Sequence, residues 1–128
     1  MIAMQWTAWV TLAALVVYLW MGMNVGKARM KYKVPAPSMD GPVEFLSVER
    51  VQANTVEQFI IFLPALWLCA AFFSDRWAAA GGAVWIIGRI VYALGYYQSP
   101  DKRSAGFGIT IMASFGLMTG AVVGLVMR

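Results

Sequence analysis

Long apolar runs alternate with short polar punctuation along the chain, and that alternation predicts four membrane-crossing helices. The first run extends from Ile2 to Val25 without a charged residue. A span needs about 20 residues, so this run is long enough to cross a bilayer. It lacks a basic n-region and outruns the apolar core of a secretory signal, which predicts a retained helix. Trp6, Trp9, Tyr18 and Trp20 gather towards its two ends, as rings at the membrane–water interface do. A polar connector from Gly26 to Val43 follows, carrying Lys27, Arg29, Lys31 and Lys33 and then the stretch PAPSMDGP. Its prolines and glycine argue against a long helix there. The second helix begins near Glu44 and runs to about Ser74; its first third, SVERVQANTVEQF, is polar for a span and its remainder, IIFLPALWLCAAFF, is apolar. Pro64 is expected to kink it or loosen its hydrogen bonding. Asp75 and Arg76 leave only a very short turn, which sets the third helix antiparallel to the second. The third helix spans about Trp77 to Tyr97, and the loop QSPDKRS leads to a fourth from about Ala105 to Met127. The expected fold class is an all-α integral membrane protein, a four-transmembrane-helix bundle of up-down topology. It forms one domain over 1–128, with helices at about 2–25, 44–74, 77–97 and 105–127.

Composition narrows the chemistry. Hydrophobic residues make up 61% of the chain and charged residues 12%, against about 25% charged in soluble domains. Lipid is therefore the expected main solvent, and four spans with connectors leave little chain for a soluble domain. With no histidine and one cysteine, a Ser-His-Asp triad, a Cys-His dyad and the usual zinc sites are excluded, and no metal is expected. Cys69 has no partner for an internal disulfide and reads as a small packing residue. The net charge of +4 does not point to nucleic acid, because the cations flank apolar spans. Lys27, Arg29, Lys31, Lys33, Lys102 and Arg103 fall in the first and third loops, whereas the other side has Arg76 and Arg128. The positive-inside rule puts the first and third loops in the cytoplasm and both termini outside. A compact chain of this kind suits a bacterial inner membrane better than the endoplasmic reticulum.

Glycines at 108, 116, 120 and 124, with Met112 between, recur at four-residue spacing on the fourth helix. Small residues on one stripe let helix backbones approach closely in lipid. Contact between subunits and packing within one subunit both fit this stripe.

Charges inside a span cost on the order of 2.5–3.5 kcal/mol each at a helix centre, so they persist when paired, hydrated or used. Arg50, Asn54 and Glu57 are spaced i, i+4, i+7 on the second helix, and Arg89, Tyr92 and Tyr96 are spaced i, i+3, i+7 on the third. Each set shares one face; Gln52 is near the first set but turned from it. Two antiparallel neighbours aim such faces at each other or at a shared cavity. A cation, an anion, an amide and two phenols suit a zwitterionic ligand with several carboxylates and an amine, since arginine takes a carboxylate in a forked pair. A sealed ion-pair network tying the helices together fits the same spacing. Arg103, just before the fourth helix, reads either as a topology determinant or as a fixed cation beside a reacting group. A thiol of pKa near 8.5 becomes a better nucleophile when a close positive charge lowers that value.

At these residues the chain resembles a known family, the membrane-associated proteins in eicosanoid and glutathione metabolism. Glu49-Arg50-Val51-Gln52-Ala53-Asn54-Thr55-Val56-Glu57 is similar to the family's E-R-x-x-x-N-x-x-E signature. The run from Gly88 through Arg89, Tyr92, Gly95 and Tyr96, followed by Pro100 and Arg103, is similar to its R-x-x-Y-x-x-G-Y pattern with a later arginine. The resemblance implies a homotrimer with sites at the clefts between subunits and glutathione bound in a bent form near the cytoplasmic side. It implies that Arg50, Asn54, Glu57, Tyr92 and Tyr96 hold the tripeptide, with Gln52 as an additional contact. Arg89 orients the site from the third helix, and Arg29 matches a basic position that in some members reaches a glutathione carboxylate. Arg103, from the neighbouring subunit, stabilises the thiolate as the catalytic group. Ser104 after Arg103 is similar to the prostaglandin-E synthase branch, where that serine assists; Gln52 and Thr55 are nearer to leukotriene-C synthase and the glutathione transferases.

The expected function is thiolate attack by glutathione on a lipophilic electrophile from the bilayer, with hydroperoxide reduction open to the same site. A prostaglandin-E-synthase-like isomerase and a non-enzymatic lipid-binding scaffold are the alternatives within the resemblance. A small multidrug transporter is disfavoured, because such proteins resemble each other in a glutamate within the first helix and this first helix has no carboxylate.

Overall fold

The computed structural model describes residues 4–128. It contains α1 (Gln5–Tyr32), α2 (Val43–Phe72), α3 (Asp75–Gln98) and α4 (Ser104–Val126), with a 3-10 turn at Pro100–Arg103 leading into α4. Among the described residues there is no strand, and all four helices are long and apolar enough to cross a membrane. The expected start of the first helix at Ile2 lies outside the described residues.

α1 departs most from expectation, for it continues past Val25 to Tyr32 and absorbs the first part of the basic connector, with Lys27, Arg29 and Lys31. Gly26 is followed by Lys, Ala, Arg, Met and Lys, all good helix formers, and Arg29 and Lys31 in the last turn complement the negative end of the helix dipole. With 28 residues, α1 is about 42 Å long, against about 30 Å of hydrocarbon. Its basic last turns therefore project beyond the apolar slab. It stops where Lys33 turns left-handed, at φ 58°, just ahead of the Pro-rich loop. α2, with 30 residues, runs through Pro64 without a break, although the Ile60 carbonyl loses its usual donor there.

The start of α1 has no side-chain cap of its own. Its free amides are taken by Asp75 at the start of α3, which accepts from Trp6 N at 3.1 Å and Thr7 N at 2.9 Å. An anion at a helix N-terminus also suits the dipole. At this pole Gly124 of α4 presses on the Phe72 carbonyl at the end of α2. At the other pole Asn24 Nδ2 of α1 donates to Tyr97 Oη of α3 at 3.2 Å, and the Lys102 carbonyl lies against Gly95.

Between the poles the core is aromatic. Phe62 and Trp85 stack with ring centroids 3.9 Å apart and planes 4° from parallel, and Phe59 stacks on the same indole at 5.3 Å. Both phenylalanines come from α2 and Trp85 from α3, so this stack fixes how the two stripe-bearing helices face each other.

The glycine stripe of α4 divides into two uses. A Cβ on Gly120 would meet Cys69 Sγ at 2.8 Å, and one on Gly124 would enter the α2 backbone at Phe72. Gly108 and Gly116 meet nothing within 4 Å. The last two glycines therefore pack within the chain, while Gly116 and Met112, 74% exposed, leave an open apolar face.

Candidate functional site

The second pole holds a cavity of about 430 Å³ between α2, α3 and the start of α4, within the usual range for small-molecule sites. α2 contributes Arg50 and Asn54, one turn apart; α3 contributes Tyr92 and Tyr96, again one turn apart. The 3-10 turn contributes Arg103, and α4 contributes Ser104 and, one turn on, Phe107 and Gly108. The helical spacing that put each polar set on one face thus also puts the two sets opposite each other.

Arg50 and Glu57 form an ion pair, Nη2 to Oε1 at 3.0 Å, with side chains 46% and 54% exposed. Glu57 stands beside the cavity lining rather than in it. So exposed a pair contributes little to stability, and its groups remain free to exchange partners. Arg103 lies at the mouth, donating from Nη1 to the Pro100 carbonyl at 2.7 Å, with its guanidinium carbon 5.9 Å from the Tyr96 ring centroid. One of its five N–H donors is used, which anchors the group while leaving the fork available. Tyr92 and Tyr96 meet edge to face at 5.6 Å.

Arg89 is placed differently. It is fully buried, 0% exposed, behind the cavity wall. Nη1 donates to Asn54 Oδ1 at 2.8 Å and Thr55 Oγ1 at 3.2 Å, and Nη2 donates to Thr110 Oγ1 at 3.0 Å. The guanidinium carbon stands 4.2 Å from the Tyr92 ring centroid. No carboxylate pairs with it among the described residues, where the one ion pair is Arg50–Glu57. Oriented dipoles and an aromatic face thus hold this buried cation. Its polar effect on the cavity is indirect: Arg89 fixes Asn54 Oδ1, which turns Asn54 Nδ2 towards Glu57 Oε1 at 3.5 Å.

Two further expected residues lie outside this chain's cavity. Gln52 faces α1, where its Nε2 would be 3.0 Å from a Cβ on Gly22. Arg29 closes the loop after α1, donating to the Ser38 carbonyl at 2.8 Å and lying 5.0 Å from the Phe45 ring centroid; the unexpected extension of α1 carries it there. Arg103 lines this chain's own cavity beside Arg50 and Tyr92. The tight turn at Pro100–Arg103 folds it back over α3. Phe107 and Thr110 were missed, and Gly108 and Thr55, noted for other reasons, were not expected at the site. Phe107 and Gly108 sit one turn after Arg103 and Ser104, a spacing visible in the sequence once the fourth helix is started at Ser104.

The MAPEG family model matches residues 7–123.

This chain belongs to the MAPEG family.

It is 46% identical to an uncharacterized protein, sll1147, of Synechocystis sp. over 120 residues, 94% of this chain and 88% of that one. It is 42% identical to microsomal glutathione S-transferase 2 of Homo sapiens over 89 residues, 70% of this chain but only 60% of the human protein. With leukotriene C4 synthase of Bos taurus it shares 34% identity over 116 residues, 91% of this chain and 77% of the bovine one. Family and helices together make the chain an integral, multi-pass membrane protein. In this MAPEG chain the cavity offers two guanidinium groups, an amide and two phenols around a small volume. The chemistry of that set suits an anionic, peptide-like molecule, with one cation at the cavity's exposed end.

Proposed function

We propose that this protein is a membrane-bound glutathione transferase that activates the glutathione thiol for attack on lipophilic electrophiles. The observation that carries the reading is the convergence of Arg50, Asn54, Tyr92, Tyr96 and Arg103 on one cavity, in a family whose relatives include microsomal glutathione S-transferase 2 and leukotriene C4 synthase.

The tripeptide has two carboxylates, an ammonium, two peptide groups and a thiol, and the residues present fit it group by group. Arg50 takes a carboxylate in a forked pair, which frees Glu57 to hold the ammonium. Asn54 and the two tyrosines hydrogen-bond peptide groups. Arg103 stabilises the sulfur as an anion, and Ser104 is placed to assist at the same end. Holding the thiolate beside a bilayer-dissolved electrophile supplies positioning and charge stabilisation together. In conjugation a carbon–sulfur bond forms, the leaving group departs with its electron pair, and the thiol proton goes to solvent. Hydroperoxide reduction begins from the same thiolate, and so does isomerisation by a prostaglandin-E-synthase-like route.

The assembly we propose is a homotrimer of up-down bundles in a bacterial inner membrane, with the first and third loops in the cytoplasm. The end contacts of α1 with α3, and of α2 with α4, support the up-down order. The basic residues at the cavity's pole support its cytoplasmic side. The open α4 face at Gly116 supports a further copy.

A substrate panel tests the reading: purified protein with glutathione and, in turn, a chloronitrobenzene, a lipid hydroperoxide and an epoxide. Saturable, enzyme-dependent turnover of at least one is expected. No turnover, together with no calorimetric response to glutathione in detergent, would instead mean a lipid-binding scaffold on the same fold.

Arg89 gives a separate expectation. Arg89→Met removes a buried cation whose burial is costly, so the helices should stay folded. Asn54 loses its orienting donor, and glutathione affinity should fall about tenfold, the worth of one charge-assisted hydrogen bond. Calorimetry alongside a thermal melt checks this: weaker binding at a near-unchanged melting temperature supports the positioning role, and unchanged binding removes it.

A further inference from the structure

We propose that a second cavity, between α1, the start of α2 and the end of α3, seats the phosphate headgroup of an anionic phospholipid. It measures about 400 Å³ and shares no lining residue with the glutathione cavity. Its α1 wall is a single stripe, Trp20, Asn24, Lys27 and Lys31, spaced i, i+4, i+7, i+11 along one helix face. Both lysines are exposed, and neither is ion-paired among the described residues. Tyr97 lines the opposite side. Its oxygen accepts from Asn24 Nδ2 at 3.2 Å, which leaves the phenol proton to donate into the cavity. The site thus presents two ammonium groups and a phenol O–H with its proton uncommitted, the donor set a phosphate diester takes up.

A headgroup on a lipid fits better than free phosphate for two reasons. The lysines sit on the part of α1 that overruns the hydrocarbon, at the level where lipid phosphates lie. Trp20 and Tyr97, edge to face at 6.1 Å, form an aromatic wall on the bilayer side that an acyl chain covers and an aqueous ion does not. Basic pockets between helices on the cytoplasmic side are where anionic headgroups are recognised. Glu44 also lines the cavity and opposes an anion; removing its charge should tighten the site.

The test uses the full chain in nanodiscs of phosphatidylcholine containing a minor share of phosphatidylglycerol, with retained lipid counted by native mass spectrometry. Phosphatidylglycerol should be enriched over its bulk share. K27Q/K31Q should cut that enrichment about tenfold, whereas K33Q/K102Q, which removes the same charge from the same pole outside the cavity, should cut it less than about threefold. Glu44→Gln should raise it. Equal losses in the two double variants would reduce the effect to surface potential and overturn the proposal. So would an unchanged Glu44→Gln, which keeps the question open to test if K27Q/K31Q does not fold. Inorganic phosphate is the last arm: in pure phosphatidylcholine discs it should leave the melting temperature unmoved. A rise that depends on Lys27 and Lys31, without phosphatidylglycerol enrichment, would assign the site to soluble phosphate and overturn the lipid.

Discussion

Arg103→Ala is expected to slow glutathione-dependent turnover by roughly two to three orders of magnitude, the loss seen when one preorganised charge-stabilising donor is removed, while weakening glutathione binding only several-fold. The asymmetry follows from where the residue sits. Arg50, Asn54 and the tyrosines form the wall given by α2 and α3, and Arg103, anchored to the Pro100 carbonyl at 2.7 Å, closes the cavity from the turn before α4. In the proposed mode, binding rests mainly on that wall and sulfur activation mainly on Arg103. A free thiol of pKa about 8.5 is only a few per cent thiolate at neutral pH. A neighbouring guanidinium favours the anion and lowers that value. The rate of the wild-type protein should accordingly rise with pH through a lower midpoint than that of Arg103→Ala, whose midpoint should move up towards the free thiol. Ultraviolet absorbance of bound thiolate, read against pH for both proteins, checks the shift directly. Arg103→Lys should fall between them, for lysine supplies the charge without the fork that Pro100 anchors. Turnover unchanged in Arg103→Ala would remove the residue from the mechanism.

The wall given by α2 and α3 was legible in the sequence because helical periodicity is strict: residues one turn apart share a face whatever surrounds them. Arg50 with Asn54, and Tyr92 with Tyr96, needed no tertiary information beyond a short antiparallel turn, which the structure puts at Phe73 and Ser74, with Asp75 and Arg76 already in α3. Arg89 shares the periodicity of Tyr92 and Tyr96 yet ends behind the wall. Which side of a polar face meets the cavity depends on helix rotation, set here by the Phe62–Trp85 stack and by the hydroxyls of Thr55 and Thr110. Thr110 hardly interrupts its apolar run, and Thr55, noticed only as a mark of resemblance, sits in a polar stretch where a hydroxyl does not stand out. Arg29 stands on α1 rather than in the expected connector for a different reason. Gly26 and a run of cations resemble a loop, but lysine, arginine and alanine propagate a helix well, and no proline intervenes before Pro35. The direction of Arg103 rests on the turn at Pro100–Arg103, whose closure no periodicity encodes.

Gly106→Val should disable the protein more completely than any change to a polar residue, although Gly106 lines no cavity described above. α4 crosses α3 at this point so closely that a Cβ would lie against the Tyr92 backbone nitrogen and Cα and 2.7 Å from the Gly88 carbonyl oxygen. These are backbone atoms and cannot rotate away, so α4 must lift from α3. Two losses follow together. Thr110 leaves the Arg89 Nη2 that it meets at 3.0 Å, which frees a donor on a buried cation. Ser104, at the start of the same helix, and Arg103, just before it, move off Tyr92 and Tyr96. Overpacking of this kind costs about 3 kcal/mol or more, and the melting temperature should drop by roughly 10 °C with the thermal response to glutathione lost. Gly116→Val separates that effect from helix propensity and bulk, since nothing lies within 4 Å of the added carbon there. Within one chain it should be nearly silent. If Gly116→Val keeps a folded monomer but no longer runs as a trimer on light scattering, then the open face of α4 is where another copy packs. If it leaves both fold and assembly intact, trimer contacts must come from elsewhere, and the stripe serves this chain alone through Gly120 and Gly124.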